Sequence, residues 1–264
     1  MRQTPDAALF AIPTGDGGWS DVSAREFHRQ VIALAKGLVA NGIEPGDKIG
    51  LMAKTSYEWT LIDFATWFAG AVLVPIYDTN APSQIHWNLI DSGAVAIITE
   101  NADHAARFDE IRADVPLVRS VWRLDLGDLD KIAAAGTGVA DEEIERRRKL
   151  ALDAAPATQI YTSGSTGKPK GAMVSWRNIR GVVPGIVDRL ELSRSTTHLS
   201  YLPLCHVAEQ MLTTFAPAYV GSQVNFGESI RTVQEDLREV APTMFLGVPR
   251  IWEKMHAAIS IKLQ

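Results

Sequence analysis

The sequence predicts an α/β protein of largely parallel sheets flanked by helices. Three observations predict it: continuous apolar runs of strand length, amphipathic runs of helix length alternating with them, and Gly- or Pro-bearing turns at the joints. Parallel strands need crossover connections and are shielded on both faces, so their strands read as unbroken apolar runs. Ligands in such sheets sit beyond the carboxyl ends of the strands.

Taken in order, Ser20 to Ser23 offers capping oxygens to a helix whose apolar face is Phe27, Val31, Leu34, Ala35 and Leu38. Asn41-Gly42 ends it, Pro45-Gly46-Asp47 turns, and Lys48 to Ala53 is a strand. Leu61, Ile62, Ala65, Phe68, Ala69 and Val72 recur at helical spacing, and Ala71 to Ile76 is a buried strand. A membrane span over Trp59 to Tyr77 is the weaker reading, because Thr60, Asp63, Thr66 and Pro75 interrupt it. Pro82-Ser83 opens a helix through Ile85 and Leu89, Asp91-Ser92-Gly93 stops it, and Ala94 to Thr99 is another strand. The Asp-, Ala- and Gly-rich stretch from Leu124 to Val139 reads as a surface connection. Asp141 to Asp153 reads as a solvated helix with Glu142–Arg146 and Glu145–Lys149 pairs. A boundary near Pro156 divides residues 1–155, a first α/β subdomain, from residues 156–264, the incomplete start of a second.

Composition narrows the partners. The 264 residues are 46% hydrophobic and 22% charged, which excludes disorder and disulfide-stapled miniproteins. A formal charge of -5 gives no attractive field for a nucleic-acid backbone. The single cysteine, Cys205, allows no internal disulfide and no thiolate-built metal site, so a cytoplasmic protein is expected, with no metal ligands assigned. Met1 to Asp6 lacks a secretory pattern.

The chemistry concentrates in one loop. Thr158 to Tyr161 reads as a strand that runs into Thr162-Ser163-Gly164-Ser165-Thr166-Gly167-Lys168-Pro169-Lys170-Gly171. Glycines let backbone N–H groups converge on an anion, hydroxyls add donors, and lysine supplies charge against a polyphosphate. A flexible linker would explain the Gly and Ser residues but not Pro169 or the two lysines. Three glycines and a proline at fixed positions arise by chance in about 2 of 100,000 starts at average usage, which disfavours the linker further. Nor is this a Walker A loop, since Gly167-Lys168 is followed by Pro169 rather than Ser or Thr.

This loop resembles the Thr-Ser-Gly-Ser/Thr-Thr-Gly-x-Pro-Lys-Gly signature of the AMP-forming adenylating enzymes. Lys168 fills the variable position, so Lys170 is the lysine carried over. Leu202-Pro203-Leu204-Cys205-His206-Val207-Ala208-Glu209 and Pro242 to Lys254 are similar to the long-chain fatty acyl-CoA synthetase branch. Pro45-Gly46-Asp47 and Gly70 to Pro75 also fit, so the resemblance covers nearly the whole chain, as the N-terminal portion of an acyl-CoA synthetase-like fold. It implies activation of a long-chain fatty carboxylate by ATP with Mg2+, giving acyl-AMP and pyrophosphate, followed by transfer to coenzyme A. Peripheral membrane contact through the lipid substrate would go with it.

By this resemblance Thr162, Ser163, Gly164, Ser165, Thr166, Gly167 and Lys170 hold the ATP phosphates. His206 is assigned to substrate positioning beside the adenylate and acyl chain. Its place at the start of a helix over Val207 to Tyr219, with Met211, Leu212 and Phe215 on one face, keeps the imidazole neutral. Phe245 to Val248 reads as a strand bordering the acyl tunnel, while Trp252, Met255 and Ile259 read as core. Two departures stand out: Trp176 where the family often has His, and Gln210 where the branch often has Arg. The family's adenine, ribose and C-terminal lysine segments are not found, and Ile251 to Leu263 is a helical pattern without a stop. Weak or no ligation by this chain alone is therefore expected. A non-catalytic nucleotide- or acyl-binding module and a fatty-acyl-AMP ligase remain as alternatives, and oligomeric state is not readable.

Overall fold

The computed structural model describes residues 4–162 and 167–262. Two sheets carry the fold. The larger has six strands: β3 (Lys48–Met52), β4 (Val72–Ile76), β5 (Ala96–Thr99), β6 (Ser120–Arg123), β7 (Pro156–Thr162) and β8 (Lys170–Ser175), in the order β6-β5-β3-β4-β7-β8. All its pairings are parallel except β7 with β8. The smaller joins β1 (Ala8–Pro13), β2 (Trp19–Ser23), β9 (Thr197–Ser200) and β10 (Gln223–Phe226) in the order β2-β1-β10-β9, with only β1 and β2 antiparallel. The chain is thus α/β with largely parallel sheets. Each sheet takes strands from both sides of residue 155.

The apolar runs explain the larger sheet. Every residue of β4 and β5 is buried, as a strand covered by helices on both faces requires. The helix Ala24–Ala40 begins where Ser23 Oγ accepts the Glu26 N–H at 3.2 Å. It buries Phe27, Val31, Leu34, Ala35 and Leu38, and Gly42 turns the chain away at φ +80°. The helix Tyr57–Phe68 replaces any membrane span, and no helix among the described residues is long and apolar enough to cross a bilayer. The helix Pro82–Ser92 ends at left-handed Gly93, as its sequence predicts.

Elsewhere the structure departs from the sequence reading. The β1–β2 hairpin was not among the predicted elements; Gly15 and Gly17 at positive φ form its turn. Residues 124–139 are not merely a surface connection, because Asp128–Ala135 is a helix that buries Ile132. It lies so close to the helix Ala24–Ala40 that a Cβ on Gly37 would stand 1.9 Å from the Ile132 carbonyl oxygen. Two glycines, Gly37 and Gly136, permit that approach, and composition alone reads them as loop. The charged helix is shorter than predicted, Asp141–Arg148, and its pairs are Glu143–Arg146, Glu143–Arg147 and Glu145–Arg148. Arg147 is buried rather than solvated: it donates to the Ile43 and Ala69 carbonyls at 2.7 and 3.1 Å and pairs with Glu44.

Phe245 to Val248 is not a strand; only Met244 forms a bridge, with His198. Trp252 is half exposed rather than core, its indole N–H spent on the Gly247 carbonyl at 2.9 Å. The core position at this turn is Ile251 instead. The Val207–Val220 helix contains a π-helical turn at Met211–Phe215 between two short α segments, an irregularity that apolar periodicity does not reveal.

Candidate active site

A cleft of about 430 Å³ opens beyond the carboxyl ends of β4 and β7. Tyr77 stands just past β4, and Ile160, Tyr161 and Thr162 end β7. Pro169, Asn80, Gln84, Asn88, Cys205, His206 and Val207 complete its lining. The fold thus brings Thr162 and His206, 44 positions apart in the chain, to one cleft. A second hollow of about 410 Å³, lined by Phe64, Trp67, Trp176 and Phe215 among others, contains none of the predicted site residues.

Of the predicted phosphate-loop residues, Ser163, Gly164, Ser165 and Thr166 lie outside the described residues. Thr162, Gly167 and Lys170 are described. Thr162 and Lys170 are register partners at the open end of the β7–β8 pair, both exposed. The strand ends flanking the loop are therefore adjacent, and Gly167 takes φ +128°, which an L side chain rarely adopts. Gly171 is needed for a different reason: a Cβ there would meet Gln159 Nε2 at 2.3 Å and Tyr161 Cζ at 3.0 Å.

Neighbouring elements hold this arm in place. The Trp87 indole N–H donates to the Pro169 carbonyl at 2.7 Å, and Lys168 Nζ lies 4.2 Å from the Trp87 ring centroid. The Tyr161 hydroxyl donates to Asp91 at 2.7 Å and accepts from Gln159 at 3.1 Å. Burial and then Asp91 push its phenol well above the usual range, so it remains a donor. Sequence reasoning missed Trp87, Tyr161 and Asp91 because each acts across sequence separations that no motif spans.

Thr55 anchors the segment that leads into His206. Its hydroxyl donates to the Leu202 carbonyl at 2.6 Å and accepts the Leu204 N–H at 3.1 Å, clamping the segment before His206. His206 is exposed and forms the N-cap, its Nδ1 accepting the Ala208 N–H at 3.3 Å. An accepting Nδ1 carries no proton, which leaves Nε2–H free to face a ligand. Cys205 also lines the cleft, but burial, then Asp78 and Asp63, push its thiol well above the usual range. It is a wall, not a nucleophile. Among the described residues no group of three His, Cys, Asp or Glu side chains is placed to hold a metal ion.

Fold and cleft together define an α/β protein with a glycine- and hydroxyl-rich loop at the carboxyl end of a parallel strand. The chain belongs to the AMP-binding enzyme family, whose model matches residues 1–264. It is 35% identical over 260 residues to the long-chain-fatty-acid–CoA ligase FadD15 of Mycobacterium bovis, covering 97% of this chain and 43% of that protein. It is 29% identical to the long-chain-fatty-acid–CoA ligase ACSBG2 of Xenopus laevis, over 95% of this chain and 36% of that protein. The chain spans less than half the length of these relatives. Among solved structures, the inhibitor-bound N-terminal domain of FACL13 from Mycobacterium tuberculosis superposes with a TM-score of 0.82 at 23% identity, over 96% of this chain and 61% of that one. The O-succinylbenzoate coenzyme A synthetase of Bacillus subtilis, in complex with AMP, gives 0.78 at 20% identity, over 96% and 48%. These likenesses establish the fold.

Proposed function

We propose that this chain carries the phosphate-binding portion of an AMP-forming long-chain fatty-acid–CoA ligase. The observation that supports it is the single cleft shared by the end of β7, the Pro169 arm and His206. In this reading a fatty carboxylate attacks the α-phosphate of ATP, pyrophosphate leaves, and the thiol of coenzyme A later displaces AMP. Little covalent work falls to the protein, so its contribution is positioning and charge neutralisation. Thr162, Ser163, Gly164, Ser165, Thr166 and Gly167 wrap the β- and γ-phosphates, and Lys170 neutralises charge on the group that leaves. His206, which lines the same cleft, offers Nε2–H to the reacting carboxylate or adenylate.

Mg2+ enters on the triphosphate in this reading, whose phosphate oxygens are the hard ligands this ion takes. A cytoplasmic setting keeps Cys205, buried and free, reduced. Peripheral contact with a lipid surface during fatty-acid uptake belongs to the same proposal.

The test is calorimetric titration of the chain with ATP in the presence of Mg2+. Saturable binding is expected, weakened about tenfold, or roughly 1.4 kcal/mol, by Lys170→Ala. An unsubstituted chain that takes up no nucleotide would overturn the reading. Fatty-acid-dependent ATP–pyrophosphate exchange by the chain alone is expected to be weak or absent.

A further inference from the structure

We propose that His198 and Glu209 form an imidazolium–carboxylate clamp that fixes the helix carrying His206, which makes both of them positioning residues for the acyl-adenylate wall of the cleft. The positioning role rests on the ligase reading given above; the ion pair does not.

Both side chains are buried, His198 at 1% exposure and Glu209 at 2%. Glu209 lies three residues beyond His206, whose carbonyl accepts the Gln210 N–H at 3.1 Å, so the two share the first turn of one helix. Glu209 Oε1 accepts from the Ser200 hydroxyl at 2.8 Å, and the Thr213 hydroxyl lies 3.0 Å from the same oxygen. His198 stands on β9 with Ser200, and the Asn225 amide of β10 donates to its carbonyl at 3.0 Å. On the far side His198 bridges to Met244, and Met244 N–H donates to Thr197 O at 3.0 Å. One buried pair therefore joins the small sheet, the His206 helix and the 242–248 segment.

Hydrogen-bond geometry constrains where the protons are. His198 Nδ1 lies 3.4 Å from the Met244 carbonyl oxygen, which can only accept, so Nδ1 bears a hydrogen. His198 Nε2 lies 3.7 Å from Glu209 Oε1 and has no other partner among the described residues. Without a hydrogen it would turn a lone pair on a carboxylate oxygen inside a buried space, two acceptors facing each other. A water cannot lie between them, because one making two ordinary hydrogen bonds holds its neighbours about 4.5 Å apart. One hydrogen between the two resolves the conflict; Oε1 already accepts from Ser200, which favours the ionised carboxylate and so the hydrogen on Nε2, and a ring protonated at both nitrogens is an imidazolium. The pair is then neutral overall, as buried charges need to be, with Glu209 Oε2 left without a partner among the described residues. The proton on Oε1 instead would leave both groups neutral, and the two arrangements differ in whether Nε2 carries a hydrogen.

The decisive measurement is nitrogen NMR of the ¹⁵N-labelled chain, with the His198 signals assigned by their loss in His198→Gln. Both ring nitrogens should show the protonated pattern. An unprotonated Nε2 overturns the clamp, and this holds whether or not any variant folds. Glu209→Gln keeps an acceptor for Ser200 while removing the charge, so His198 should revert to a neutral ring. An acyl-sulfamoyl adenosine should then bind about tenfold more weakly, while ATP affinity changes less than about twofold. Equal loss for both ligands would refute positioning and leave only a structural pair. The double variant His198→Gln with Glu209→Gln should recover part of the analogue affinity, which independent effects would not do. If the unsubstituted chain takes up no analogue, the ligase reading and the positioning role fall together, while the nitrogen pattern still judges the ion pair.

Discussion

Asp63 carries the sharpest residue-scale consequence of this fold. It is fully buried, neither carboxyl oxygen has a partner among the described residues, and burial holds its carboxyl well above 3.8. Thr60, Thr66, Gln210 and Thr214 contribute further unpaired buried polar atoms from the same helix and from the Val207–Val220 helix. In the unfolded chain Asp63 ionises at its ordinary value, whereas the native state keeps the proton. Native protein thus binds more protons than unfolded protein across that window, so Asp63's contribution to stability is undiminished below the unfolded pKa and falls as pH rises toward the folded one. The slope approaches about 1.4 kcal/mol per pH unit within the window. Asp63→Asn, neutral at every pH, should therefore be more stable than the parent at pH 8 and nearly equal to it at pH 4. Urea unfolding at both values checks this, and a variant less stable at pH 8 would mean that Asp63 is ionised and paired. The sequence registers Asp63 only as a break in an apolar run. That it is neutral follows from what packs around it, which no local pattern contains.

At the scale of elements, legibility follows the range of the interactions. The helices Ala24–Ala40 and Pro82–Ser92 and the strands between them were readable because capping, turn and apolar signals lie within a few residues of each other. The helix Asp128–Ala135 was not, because its place depends on Gly37, some ninety positions earlier. Gly37→Ala should drive a Cβ into the Ile132 carbonyl, where the neighbour is backbone and cannot rotate away. A loss of about 3 kcal/mol, the upper end for overpacking, is expected in a denaturant titration, with the Asp128–Ala135 helix exchanging its amide hydrogens faster. The phosphate loop was legible as composition, yet its anchoring was not. Trp87 meets Pro169 and Lys168 through a hydrogen bond and a ring contact that only the packing of the Pro82–Ser92 helix against the β8 side creates. Trp87→Leu removes both while keeping an apolar body. ATP affinity should fall about tenfold, roughly the 1–2 kcal/mol of a hydrogen bond plus a cation–π contact, with a melting temperature close to that of the parent. Unchanged affinity would show that Trp87 merely covers the arm.

For the whole molecule, the arrangement of the sheets decides how it comes apart. β1 pairs with β10, and β4 with β7, so the strands nearest either end of the chain complete one sheet and the middle strands complete the other. Neither the first 155 residues nor those that follow can form both sheets alone. Trp67 ties the two portions directly: its indole donates to the Ala157 carbonyl at 2.8 Å, stacks on Phe215 at 5.2 Å, and meets Trp176 edge-on at 5.2 Å. The helix Tyr57–Phe68, β7, the helix Trp176–Arg189 and the Val207–Val220 helix all converge on that one ring. Sequence spacing can suggest where subdomains meet, but it cannot show that their strands interleave. Interleaving predicts one cooperative transition rather than two, so far-ultraviolet circular dichroism and tryptophan fluorescence should trace the same urea curve. Trp67→Ala should shift that curve as a unit, by about 3–5 kcal/mol for the lost aromatic volume and the orphaned carbonyl. Two separable transitions, with only the later one moved by the substitution, would show instead that the first portion holds its structure without the second.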